Sequence, residues 1–176
     1  MADDDHPVDP GPTDGPWPRV LISNRQRAAL DEEGLRSLAR DTLRGEGVDR
    51  AELSVSFVET GEIEELHERF MDEPGPTDVL SFPLDEAEVP AEDGAKVGAK
   101  DGAKDGAKNG DGTRHLGDVV VAPAEAERNN PADPNGEIRL LLVHGILHLL
   151  GYDHEEEDAR TRMWERQARY SGVRAP

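Results

Sequence analysis

The sequence predicts an α+β fold: one small domain with a mixed sheet of about four strands, layered with helices, and one helix buried at its centre. Three observations lead there. Segments of period two alternate with segments of helical period along the chain. The run RLLLVHGILHLLG (139–151) is apolar almost all round, which marks a helix with no solvent face. A length of 176 residues without a single cysteine suits one domain with its own core, stapled neither by disulfides nor by thiolate zinc sites.

Residues 1–18 hold five Asp, no Lys or Arg, and little to bury, so a disordered acidic tail is expected there. RVLISNRQ (19–26) reads as a strand. DEEGLRSLARDTLRGEG (31–47) sets Leu35, Leu38, Ala39 and Leu43 at helical spacing, with Gly45 and Gly47 to stop the helix. AELSVSFVE (51–59) alternates Leu53, Val55 and Phe57 on one face, as a half-buried strand does. A short helix is expected over about 61–71, then strands at DVLSFP (78–83) and GDVVVA (117–122). Between those strands, at about 85–114, lies a Gly-Ala-Lys insert that carries all four lysines of the chain. Its glycines predict a flexible loop, and the aspartates alternating with the lysines argue against a basic arm for RNA. PNGEIRLLLVHGILHLLG (134–151) opens on turn residues and becomes the central helix. EEEDARTRMWERQARYSG (155–172) reads as an amphipathic last helix, with Trp164 and Tyr170 expected to pack.

The net charge of −19 argues against a broad, nonspecific nucleic-acid binder, because phosphate contacts need Lys and Arg. A polyanionic partner would have to be held by a local patch, a metal or a larger assembly. No apolar run approaches the roughly 18–20 residues that span a bilayer. The opening MADDDHPVDP lacks the basic and apolar regions of a secretory signal, so a cytoplasmic protein with no membrane partner is expected.

Three of the six histidines stand in HGILHLLGYDH (144–154). His144 and His148, four residues apart, share one helix face with Cβ atoms about 5–6 Å apart, close enough for two imidazoles to meet one ion. Gly151 can take a left-handed conformation, end the helix and turn the chain back, so that His154 supplies a third nitrogen. Three neutral imidazoles leave the fourth zinc position open, the arrangement of a catalytic site. Each ring taken alone would pass for a satisfied core histidine. Three around a helix-ending glycine are hard to explain as packing, since each buried ring needs its own partners. One zinc ion on His144, His148 and His154 is therefore expected, although three imidazoles also suit Ni, Cu or Fe. Residues 19–172 would then form a single metallo-hydrolase domain.

The frame matches that of the metzincin peptidases at both helical histidines, the glycine and the third histidine. It differs where those enzymes keep their general-base glutamate, which is Gly145 here. A zinc peptidase is accordingly the second reading. A non-catalytic ribosome-assembly factor, whose zinc only fixes the helix end, is the third.

HGILHLLGYDH closely resembles the H-G-x-L-H-L-x-G-Y-D-H motif of the YbeY family of bacterial metal-dependent endoribonucleases. DEPGPTDVLSFPLDE (72–86) and LGDVVVA (116–122) resemble two further blocks of that family, in family order. The resemblance spans about residues 19–172 outside the insert. It implies zinc on His144, His148 and His154, hydrolysis of single-stranded RNA, and a role in ribosomal RNA maturation and ribosome quality control at the small subunit. One departure stands out: where many members carry an Arg before the second block, this chain has Met71, and Arg69 lies two residues earlier.

The other candidates carry two readings each. Asp153 suits a carboxylate that orients a ligand imidazole, and equally a turn-former or N-cap for the last helix. Thr77, Asp78 and Ser81 are candidates to line the cleft, though PTD also suits a turn and cap. Arg139 is either a phosphate contact or a surface residue. His6 falls in the tail, His67 on a helix surface, and His115 is a weak candidate for the site.

Overall fold

The computed structural model describes residues 17–84 and 112–174. His6, the acidic tail before Trp17 and the insert from 85 to 111 lie outside the described residues. Strands β1 (Arg19–Asn24), β2 (Ala51–Phe57), β3 (Val79–Pro83) and β4 (Arg114–Val121) form one sheet in the order β1-β2-β4-β3. β1, β2 and β4 run parallel, and β3 joins β4 antiparallel. Between and after them come helices α1 (Glu32–Gly45), α2 (Thr60–Met71), α3 (Pro123–Asn129), α4 (Pro134–Leu149) and α5 (Glu157–Ser171). No helix among the described residues is long and apolar enough to cross a membrane.

The alternation read in β2 is observed: Ala51, Leu53, Val55 and Phe57 are buried and the residues between them are half-buried. α1 starts where Asp31 accepts a hydrogen bond from the Gly34 backbone N–H at 2.9 Å, and acidic Glu32 and Glu33 fill its first turn. α4 starts the same way, with Asp133 accepting from Gly136 N–H at 2.9 Å and Pro134 in the first turn. Its buried residues, among them Ile138, Leu142, Val143, Ile146 and Leu147, go all the way round the helix. α4 packs against β3, β4, α1, α3 and α5 and so sits at the centre. Each large apolar side chain buried there contributes roughly 1.5–3 kcal/mol. A smaller cluster of Val58, Ile63, Leu80, Val120 and Ala122 is packed on by Leu66 of α2 and Phe82 of β3.

Several expectations need correction. α3 was not legible: seven residues with Ala126 as their main apolar contact give no period to read. β4 begins at Arg114, three residues early and inside the expected insert, because Arg114 and His115 pair with Ala51 and Glu52 before a register shift. Trp17 and Pro18, assigned to the tail, are tied down instead: Arg44 Nη2 donates to the Trp17 carbonyl at 2.7 Å and Arg40 Nε to that of Pro18 at 3.2 Å. Trp164 is 45% exposed, since the buried stripe of α5 runs through Met163, Gln167 and Ser171 and one step of the helix turns Trp164 away. Tyr170 does pack against the main core. His67 is half-buried rather than free on the helix surface: its Nδ1 lies 2.9 Å from the Gly75 carbonyl and its Nε2 3.1 Å from Glu73, pinning the loop after α2.

Candidate metal centre

α4 ends at the glycine predicted to end it. Gly151 has φ +93, its N–H donates to the His148 carbonyl at 3.0 Å, and the Tyr152 N–H donates to Leu147 at 3.0 Å. This pair of crossed bonds satisfies the last carbonyls and reverses the chain, bringing residues 152–154 back beside the helix. The outcome is one cluster: a ligand atom from each of His144, His148 and His154 lies within 4.8 Å of the others. The ring centroids are 4.4, 5.2 and 5.9 Å apart. His144 and His148 are half-buried and His154 is exposed, so the cluster opens to solvent on one side.

The donor set suits a cation. His144 Nδ1 lies 2.5 Å from Oε1 of Gln167, a buried residue of α5. A carbonyl oxygen accepts, so Nδ1 carries the proton and Nε2 keeps its lone pair. The Tyr152 backbone hydrogen bonds the His148 ring and raises its pKa, as an accepting carbonyl does. The Nε2 atoms of His144 and His148 face each other at 2.9 Å. Two lone pairs at that separation repel unless a proton or a cation lies against both, and a divalent ion takes such nitrogens at about 2.0–2.1 Å.

Burial holds both rings below the ordinary histidine value of 6.5. At His148 burial, then its two histidine neighbours, lower the pKa to about 4, against smaller opposing effects of Asp153 and Tyr152. At His144 burial outweighs the Gln167 hydrogen bond and the Asp78 charge. Both rings are thus neutral near pH 7, as ligands must be. The same shifts set the stability of the metal-free protein. Unfolding frees these rings to bind protons near 6.5, which the folded His148 does only near 4. Stability is therefore full above about pH 6.5 and falls as pH drops towards 4. Urea midpoints of metal-free protein across that range should show the fall, and His148→Gln should make it shallower; an unchanged slope would contradict burial as its source.

Gly145, where the metzincin frame has its glutamate, has no room for a side chain. A Cβ there would stand 2.6 Å from Val119 Cγ1 and 3.2 Å from Ser81 Oγ. Ser81 Oγ also donates to the Gly145 carbonyl at 3.0 Å, which fastens β3 to α4 beside His144. Asp78 accepts from Asn129 Nδ2 at 2.9 Å, and Thr77 beside it is half-buried. Asp153 Oδ1 accepts from the N–H groups of His154 at 2.6 Å and Glu155 at 3.2 Å, a turn-forming role. The N-cap of α5 is Glu156, not Asp153.

The remaining candidates stand elsewhere. His115 Nδ1 lies 3.6 Å from Glu52 on the neighbouring strand, outside the cluster. Arg139 Nε donates to the Ser171 carbonyl at 3.2 Å, which ties α4 to the end of α5. Met71 is exposed at the end of α2, and the Arg69 guanidinium lies over the Phe70 ring at 5.3 Å. Gln167 escaped the sequence reading, though a polar residue four positions after Met163, on the stripe that faces the core, is the signal that marks it.

The model of one protein family, Endoribonuclease YbeY, matches residues 21–172. The endoribonuclease YbeY of Acidothermus cellulolyticus is 45% identical over 153 residues, covering 85% of this chain and 87% of its own length. That of Beutenbergia cavernae is 43% identical over 150 residues, covering 83% and 90%. Among solved structures, the solution structure of TM1509 from Thermotoga maritima is similar with a TM-score of 0.54 at 27% identity, covering 86% of each chain. The sequence blocks at 72–86, 116–122 and 144–154 thus lie within a match that runs nearly the length of the described fold, and the chain belongs to the endoribonuclease YbeY family.

Proposed function

We propose that this chain is a zinc-dependent endoribonuclease that cuts single-stranded RNA, acting on ribosomal RNA precursors at the small subunit in rRNA maturation and ribosome quality control. His144, His148 and His154 hold one zinc ion. The observation that carries the reading is the convergence of three imidazoles with the Nε2 of His144 and His148 facing at 2.9 Å, each of these two rings also hydrogen bonded from elsewhere in the fold. Membership of the family supports the RNA substrate. A ribosomal substrate sets the work in the cytoplasm.

When bound, the metal supplies Lewis acidity towards a phosphoryl oxygen and lowers the pKa of water to about 7. The chain's own residues do the holding. Gln167 and the Tyr152 backbone fix the orientation of the His144 and His148 rings. Ser81 keeps the edge strand β3 beside the site. The exposed side at His154 is where a polymer can approach. Positive charge at the centre also answers how a chain of −19 meets a polyanion. Peptidase chemistry loses support because the packing around Gly145 leaves no place for the glutamate it would use.

The test compares single-stranded and duplex oligoribonucleotides before and after chelation. Cleavage of the single strand should disappear on metal removal and return with one equivalent of zinc per chain. Undiminished cleavage by protein shown to be metal-free would overturn the reading.

A further inference from the structure

Forty residues before the insert, and about a hundred before the histidines, one carboxylate is buried among helices. Glu46 caps the end of α1 with its side chain 4% exposed. It accepts three hydrogen bonds: from the Tyr152 hydroxyl at 2.7 Å, the Tyr170 hydroxyl at 2.7 Å and Arg166 Nη1 at 2.6 Å. Gly45 makes room for this, since a Cβ there would stand 2.5 Å from the Tyr170 ring. Burial alone would raise the Glu46 pKa, but the three hydrogen bonds outweigh it and keep the group ionised.

What Glu46 holds is what the histidines lean on. Tyr152 sits in the reversed turn, its backbone bonded to the His148 ring and His154 two residues on. Arg166 stands next to Gln167 on α5, and Gln167 bonds His144. We infer that Glu46 is a positioning residue for the metal centre: its carboxylate fixes the 150–154 turn against α1 and α5, so that the third imidazole is held at the distance the other two require. The inference rests on the three-histidine metal site proposed above.

The test separates positioning from plain stabilisation. Tyr152→Phe and Tyr170→Phe each delete one oxygen and one hydrogen bond to the same carboxylate, but only Tyr152 belongs to the turn. Zinc affinity is read by competition with a chromophoric chelator, and the metal-free proteins are melted in parallel. Both variants should lose thermal stability to a similar degree. Tyr152→Phe should weaken zinc binding by roughly 10- to 100-fold, the range for groups that orient ligands, whereas Tyr170→Phe should change it less than about twofold. Glu46→Gln should weaken zinc as Tyr152→Phe does. Equal losses of affinity in the two tyrosine variants, or none in Tyr152→Phe, would overturn the positioning role while the metal site stood. A wild-type protein that binds no zinc would remove the site and this inference with it.

Discussion

His148→Ala is expected to abolish stoichiometric zinc binding and to lower single-strand RNA cleavage by at least about a hundred-fold. Losing a group that merely orients a ligand costs about 10- to 100-fold, and losing the ligand itself costs more. His148 is the middle ligand, with its Nε2 2.9 Å from that of His144 and its ring 5.2 Å from that of His154. The other two cannot complete a site without it. The fold should survive, because Leu147 and Leu149 still pack and alanine favours a helix. Metal content by mass spectrometry and cleavage should therefore fall together in a protein that melts normally. Zinc lost with cleavage unchanged would make the metal structural or the nuclease a contaminant.

Gly117→Ala should be strongly damaging, costing about 3 kcal/mol or more of a total that is typically ~5–15 kcal/mol. Gly117 has φ +126, and a Cβ there would stand 2.1 Å from the Phe82 carbonyl oxygen and 2.9 Å from the Leu84 nitrogen. Both obstacles are backbone, so no side chain can rotate away. The site lies at the irregularity where β4 shifts register against β2, a place where a strand bends and a glycine is needed. Loosening it would loosen β3, and with β3 the Ser81 tether on Gly145. Urea unfolding against Gly61→Ala supplies the contrast. Gly61 has nothing within 4 Å of its would-be Cβ, and alanine there should be neutral or slightly stabilising. A Gly117→Ala midpoint close to wild type would refute the close approach.

Features legible before the structure shared one property: they were local. The four-residue spacing of His144 and His148, the helix end at Gly151 and the alternation of β2 depend on periods of 3.6 and 2 that the backbone imposes on any chain. Features that misled were local signals without a period. The seven residues of α3 were too few, and an aromatic such as Trp164 does not report which side of a helix it will occupy. The helix pattern around His67 carries no sign of its partners Glu73 and Gly75, which come from a loop folded back upon it.

By itself, the sequence determined which three histidines meet, because they lie within eleven residues of one helix and its turn. It determined the family too, through three motifs in order. Only the tertiary structure decided how those rings are held and what is excluded beside them. The Ser81 hydrogen bond to the Gly145 carbonyl spans 64 residues, Gln167 reaches His144 across 23, and Glu46 reaches Tyr152 across 106. Contacts of that separation follow from how α1, α4, α5 and β3 pack, and no backbone period encodes them.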